Sequence, residues 1–273
     1  MINTYDFSFN DKVKATPKPL FWESFKLAGD DLLKEVIQRI IIEGTIQNEN
    51  DNGTCGVIEN HAKSIGKENI NEKLNGFFGQ NTNNIGLVAR LMRKTFINQV
   101  AIPIAYFYLT NSNEKPNNQF VKFEDILGKE FKNKELLDYF EKYFGFSFLD
   151  IKWNTNNAKV NEIISSVFDG LVKQVALILN QYNCDYIILS GKPCSSNVLE
   201  ALFMKYLDCS PNKLINLNHI WIGKWFPFAD DNGNMKDAKT VVSVGAIIAL
   251  MSGKLKKMND FELNIEYLKN NII

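Results

Sequence analysis

The chain has 273 residues, 45% of them apolar and 23% charged, with 31 basic side chains against 31 acidic ones. That is enough apolar chain to bury a sizeable core without staples, and a net charge of zero argues against a nucleic-acid or anionic-membrane partner, either of which needs a basic excess. Cys55, Cys184, Cys194 and Cys209 are scattered without a Cys-x-x-Cys pair, and His61 and His219 stand far apart, so a zinc framework of about four clustered ligands is not expected.

No apolar segment opens the chain in the manner of a signal peptide. The longest apolar run, at 241–251, is far short of the roughly 20 residues that cross a bilayer. These features predict a cytoplasmic protein with reduced thiols and no membrane insertion.

In chain order, Tyr5, Phe7 and Phe9 alternate with polar residues, the period of a half-buried strand. Thr16-Pro17-Lys18-Pro19 then breaks the chain, and 20–27 can form a second strand. After Gly29-Asp30, the spacing of Leu32, Leu33, Val36, Ile37, Ile40 and Ile41 lays one apolar stripe on a helix with acidic groups at its positive end. Asparagine runs at 48–52, 81–84, 111–118 and 154–157 set off a middle block. That block reads as mainly helical, over 85–100, 104–109 and 134–144, with Pro103 kinking or ending the first of these.

The last block is the most orderly. An amphipathic helix over 161–182 is followed by Tyr186-Ile187-Ile188-Leu189, a short continuous apolar strand of the kind buried on both faces. A turn at Gly191-Lys192-Pro193 leads to a helix over 198–207, a strand within 213–220 and a small-residue helix over 241–251 that stops near Gly253. The order strand-strand-helix, insertion, helix-strand-helix-strand-helix is that of a layered α/β fold.

The turn after the apolar strand is the leading place for chemistry. Gly191 allows close approach of a ligand, the next helix offers N–H groups to an anion, and α/β sheets collect ligands beyond the carboxyl ends of their strands. Gly245 interrupts an apolar helix, either for close packing on the sheet or to make room for a ligand. Arg90, Arg93 and Lys94 share a helix face, a solvated surface or a cover for a phosphate or an adenine ring. Trp221 to Phe228 can be core, a folded-over loop or a partner surface. No Ser-His-Asp set, paired histidine ligands or Walker-type loop is present.

Three segments in this order resemble the second half of the actin and DnaK-type ATPase superfamily. They are Phe25-Lys26-Leu27-Ala28-Gly29-Asp30-Asp31-Leu32, Ile187-Ile188-Leu189-Ser190-Gly191-Lys192-Pro193 with the helix after it, and the helix carrying Val244-Gly245-Ala246. They are similar, respectively, to the Ala-Gly-x-Asp-Leu segment, the adenosine motif and the closing helix that borders the nucleotide. The wording is closer still to the SrfB virulence-factor family, on residues 28–36, 184–193, 225–228 and 239–246. The middle block matches only at 91–105. The adenosine motif usually carries a second glycine, and Lys192 stands in its place. No Asp-x-Gly-Gly-Gly-Thr phosphate loop occurs in the chain.

The resemblance implies an actin-like (ribonuclease H-like) ATPase subdomain made by 1–45 plus 158–273, with 46–157 inserted as a helix-rich, lid-like subdomain. It implies the adenosine-side half of an SrfB-like ATPase, whose partner would be the missing N-terminal half of the fold. Gly191, Lys192, Pro193 and Gly245 would border adenosine, and Arg93 and Lys94 would contact the adenine side. ATP with magnesium would be the cofactor of the intact parent protein. No catalytic or metal-binding residue is assigned in this chain, so the enzyme is at most an ATPase as part of a longer protein. The alternative is a non-catalytic scaffold with a degenerate nucleotide site that works through protein partners.

Overall fold

The computed structural model describes residues 2–10, 14–25, 29–44, 53–67, 69–79, 85–113, 120–154, 157–258, 261–264 and 266. Lys26, Leu27 and Ala28 of the Ala-Gly segment, and parts of the asparagine runs, lie outside the described residues.

The chain opens with β1 (Ile2–Asn10), β2 (Lys14–Glu23) and α1 (Gly29–Val36). Helices α2 (Thr54–Ser64), α3 (Ile70–Phe78), α4 (Leu87–Phe96) and α5 (Ile102–Thr110) follow. Then come β3 (Phe120–Lys122), α6 (Phe123–Leu127), α7 (Lys134–Phe144), β4 (Lys152–Asn154) and the long α8 (Ala158–Tyr182). The last stretch holds β5 (Ile187–Leu189), α9 (Asn197–Tyr206), β6 (Leu214–Asn216), α10 (Thr240–Ala249) and β7 (Glu262–Leu263). This is a mixed α/β architecture in which helices predominate and the sheets have two or three strands.

The chain forms two compact units, Met1–Ala28 with Gly170–Ile273, and Gly29–Asp169. The asparagine punctuation points to 45/46 and 157/158 as limits. In the structure α1 and the first turns of α8 group with the helical unit instead.

In the first unit β1 pairs antiparallel with β2, and β7 joins the far edge of β2 in parallel, at Lys14 and Ala15 only. Two expectations change here. Pro17 and Pro19 do not break the chain but lie within β2, opposite Phe7 and Tyr5. They stand beyond the short stretch that β7 covers, so their missing N–H groups interrupt no ladder, as on an edge strand. Tyr5, Phe7 and Phe9 form the outer face of β1, while Ile2 and Thr4 turn inward. The three rings run as a ladder, with centroids 6.1 and 6.3 Å apart.

β5 and β6 form a separate parallel pair, Ile187 opposite Leu214 and Leu189 opposite Asn216. Ile187 and Leu189 are buried but Ile188 is 60% exposed. The continuous apolar run is therefore covered on one face, not on both, because a two-stranded sheet presents a full second face that nothing in this chain's described residues fills. After β6 the chain makes a folded loop held by bridges between Trp221 and Asn234 and between Ala229 and Met235. Phe226, Met235 and Val244 of α10 form its small core, with Ile220, Ile222, Val241 and Ile248 packed against it.

The second unit is built on phenylalanine. Phe140 of α7 is fully buried, with ring centroids 5.1 Å from Phe96, 5.1 Å from Phe144, 5.2 Å from Phe148 and 5.7 Å from Phe77. Edge-on and offset rings at these separations contribute beyond the area they bury. Asn133 caps α7 by accepting the N–H of Leu136 at 3.1 Å, the usual relief of an orphan helix donor. Pro103 does not end the helical run, which continues through it into α5. A π-helical stretch, Ile97–Ala101, joins α4 to α5 and leaves Pro103 in the first turn of α5, where a missing N–H is tolerated.

Candidate functional site

β5 and β6 run parallel, so their carboxyl ends lie side by side, and the chain leaves each of them into a polar turn. After Leu189 and Ser190, Gly191 adopts φ +97°, ψ 165°, a conformation closed to residues with a Cβ. Among the described residues, a Cβ at this position would meet only the Pro193 Cδ, at 4.0 Å, so they leave space open above the turn. Lys192–Ser195 then makes one 3-10 turn, closed by the Cys194 N–H donating to the Gly191 carbonyl at 3.2 Å. Ser196 starts α9 by accepting the N–H of Val198 at 3.2 Å.

The second half of the site comes from the end of β6. The Asn218 side chain donates to the Gly191 carbonyl at 3.2 Å. Buried Asn216 donates from Nδ2 to the carbonyl of Cys194 and to Glu200 Oε2, each at 2.8 Å. Its Oδ1 accepts the N–H of Asn218 at 3.1 Å, which fixes the orientation of the amide. His219 Nδ1 lies 3.2 Å from the same Glu200 oxygen. Asn216, Asn218, His219 and Glu200 thus tie β6, the Gly191 turn and α9 into one polar network. Sequence reasoning missed this group. The signal available was Asn216-Leu217-Asn218-His219 directly after a strand, side chains that hydrogen-bond their own turns.

Of the residues singled out from sequence, Gly191, Lys192 and Pro193 share this turn, with Lys192 exposed. Gly245 belongs to the same unit, on α10. It is exposed, and a Cβ there would meet nothing within 4 Å. Among the described residues, therefore, no sheet packs closely against this glycine. Arg93 and Lys94 lie on α4, in the other unit. Lys94 is exposed. One guanidinium nitrogen of Arg93, Nη1, is buried without a hydrogen-bond partner among the described residues, and burial lowers the Arg93 pKa. Such an orphan donor carries a desolvation cost that an acceptor would relieve.

Thiol chemistry does not belong to this turn. Burial pushes the Cys194 thiol up to about 11, so it stays protonated at neutral pH and is a poor nucleophile. Among the described residues no group of three or more His, Cys, Asp or Glu side chains is placed to hold a metal ion, and no helix is long and apolar enough to cross a membrane.

The folded loop beyond the site presents two indoles. Trp221 and Trp225 are 68% and 64% exposed, yet Trp221 is fixed by its Nε1 donating to the Asn232 carbonyl at 3.1 Å. Both rings flank Gly223, whose Cβ would lie 3.4 Å from Trp225 and 3.5 Å from Trp221.

Comparison with family models matches the virulence factor SrfB family over residues 1–272. No curated protein and no solved structure matches. The chain belongs to the SrfB virulence factor family.

Proposed function

We propose that this SrfB-family chain is the adenosine-side half of an actin-fold ATPase with a virulence-related role, and that by itself it binds nucleotide without turning it over. The observation that carries the reading is the Gly191 turn: a left-handed glycine with open space above it, at the carboxyl end of two paired parallel strands. Ligands of open α/β sheets collect at such places. The residues fit the adenosine end of a nucleotide and not its phosphates. Gly191 leaves room for a base or ribose, Pro193 offers an apolar edge, and exposed Lys192 supplies a positive charge at the rim. Gly245 leaves a second open position on α10. Bound ATP with magnesium would supply the transferable phosphoryl group, whose gripping loops would have to come from outside these residues. The matching test is titration of the chain with ATP. Measurable binding that falls at least tenfold in Gly191→Val, with the fold retained by circular dichroism, is expected. No binding up to several millimolar overturns the reading.

A second reading, a scaffold acting through protein partners, is favoured by the indole pair. Two tryptophans exposed to this degree on a hydrogen-bonded loop lose little freedom when covered, which is what interface anchors require. Lys192, in place of a second glycine, favours the same reading. It predicts that Trp221→Ala with Trp225→Ala abolishes capture of a protein partner while leaving ATP affinity unchanged.

A further inference from the structure

We infer that the outer face of α10, with the lysine segment that follows it, is a docking surface for an anionic lipid bilayer, on which the chain lies without crossing it. The inference goes beyond the nucleotide reading and does not depend on it.

From Thr240 to Gly253 the chain carries no charged side chain. It is helical over that stretch, first as α10 and then as a π-helical turn, Leu250–Lys254. A helix that is apolar all round is ordinarily buried on every side. Here one side is covered: Val244 is buried with Phe226 and Met235, and Val241 and Ile248 pack on the same cluster. The opposite side is bare. Val242, Ala246 and Leu250 follow one another at i, i+4 and i+8, with Ile247 beside them, so they share that side. Val242, Ile247 and Leu250 are 75%, 57% and 48% exposed, and Ala246 is exposed as well. A contiguous aliphatic stripe left in water marks an interaction surface.

Charge identifies what covers it. The chain folds back on the end of the helix, where the Leu255 N–H donates to the Leu250 carbonyl and the Lys257 N–H to the Met251 carbonyl, each at 2.9 Å. Lys254, Lys256 and Lys257 are thereby held at the carboxyl end of the stripe, interleaved with Leu255 and Met258, and all five side chains are exposed. From Lys239 to Met258 there are four lysines and no aspartate or glutamate. The zero net charge of the whole chain averages this local excess away, yet the local excess is what an anionic surface meets within a Debye length.

Composition selects lipid over protein. Protein interfaces are anchored by Trp, Tyr and Arg and are poor in Lys, whereas residues 239–258 contain none of the first three and four of the last. Aliphatic side chains edged by lysines, whose long stems let the ammonium groups stay among headgroups, are the composition of an interfacial helix. The same charges disfavour a second copy on this face. Antiparallel helices would set Lys239 of each copy against the lysine segment of the other, and parallel helices would bring the two lysine segments together.

The test is co-sedimentation of the 273-residue chain with vesicles of phosphatidylcholine alone and of equimolar phosphatidylcholine and phosphatidylglycerol. Binding to the mixed vesicles is expected, at least about tenfold stronger than to phosphatidylcholine and weakened by salt. Two variants separate the parts. Lys254→Gln with Lys256→Gln and Lys257→Gln should weaken partition at least about tenfold, and Val242→Ser with Ile247→Ser and Leu250→Ser should do the same by removing about ten buried carbons' worth of transfer. All six positions are exposed, so thermal melting should be unchanged. Should the triple serine variant melt lower, Val242→Ser alone, at the most exposed position, should still weaken partition several-fold. No binding to the mixed vesicles overturns the inference, as does binding that both triple variants retain. Loss in the lysine variant with full retention in the serine variants would show that charge alone attracts the chain and that the α10 face is not the docking surface. A dimer in analytical ultracentrifugation that the serine variants dissociate, with no vesicle binding, would mean that a second copy covers the face instead.

Discussion

The side-chain amide of Asn218 donates to the carbonyl of Gly191 at 3.2 Å, tying the end of β6 to the turn that follows β5. The Gly191 carbonyl also closes the 3-10 turn by accepting from Cys194. One peptide plane is therefore held from two directions, by its own loop and by the neighbouring strand. A turn fixed in this way keeps the space above the glycine open without waiting for a ligand, which lowers the ordering cost of binding.

Asn216→Ala should destabilise the chain by about 2–3 kcal/mol, since it leaves two buried or half-buried acceptors without their donor. The acceptors are the carbonyl of Cys194 and the Glu200 carboxylate, and Asn216 itself is only 7% exposed. Asn216→Asp should be worse, because it sets a second carboxylate against Glu200. Urea unfolding followed by fluorescence measures both. A change in the alanine variant below about 0.5 kcal/mol would show that the network does not hold the turn.

In the helical unit, Phe140→Ala should lower stability by about 3–5 kcal/mol, the range for emptying an aromatic core position. Phe140 is fully buried and touches the rings of Phe77, Phe96, Phe144 and Phe148. Phe140→Leu should cost less than half of that, because most of the volume is retained. Thermal melts of the two variants side by side give the order, and equal losses would mean that ring geometry rather than volume dominates.

Periodicity made the helices legible: the stripes at Leu32 to Ile41 and along α8 are where the structure has them. It misjudged what faced inward. Tyr5, Phe7 and Phe9 alternate as a buried strand face would, yet they point outward, because alternation fixes which residues share a face and not which face is covered. Ile188 fails for the same reason: a run of apolar residues reads as doubly buried only if a second layer is there to bury it. Pro17 and Pro19 looked like breakers because propensity is local, whereas the end of β7 pairing that tolerates them is set by residues near 262. The Gly191 turn was legible as strand-glycine-helix. Its other half was not, since Asn216, Asn218 and His219 meet Gly191 and Glu200 only through the parallel pairing of β5 with β6, a contact no local pattern encodes.

Stability should fall as pH rises from about 9 to about 11, and part of that fall belongs to Cys194. Burial raises its thiol from 9.0 to about 11. Between those values the unfolded chain has lost the thiol proton and the folded chain has kept it, so unfolding releases a proton and raising the pH favours the unfolded state. The contribution is fully present below pH 9 and is lost through that window. Cys55, pushed up to about 12 by burial, extends the same trend upward. Urea midpoints at pH 8, 9.5 and 10.5 should show a steeper decline for the native chain than for Cys194→Ala, since lysines and tyrosines titrate alike in both. Parallel declines would mean that the thiol is not the group responsible.

The 273 residues alone should not sustain ATP hydrolysis. Phosphoryl transfer depends on positioning, on a metal and on electrostatic stabilisation of the transferring group. No Asp-x-Gly-Gly-Gly-Thr loop or Walker-type loop is present to grip the phosphates. On the proposed nucleotide reading, Lys192 and Asn218 at the Gly191 turn would meet the nucleoside end. Contacts there are equal in the ground and transition states, so they give binding without acceleration. Affinity should be modest as well, because a triphosphate left in water gains little from charge contacts. Phosphate release with magnesium, measured on material freed of contaminating ATPases, is the assay. The rate should match the blank and be unchanged in Gly191→Val. Sustained turnover lost in Gly191→Val would mean that the catalytic groups lie inside this sequence, and that the adenosine-side reading assigns the chain too small a share of the chemistry.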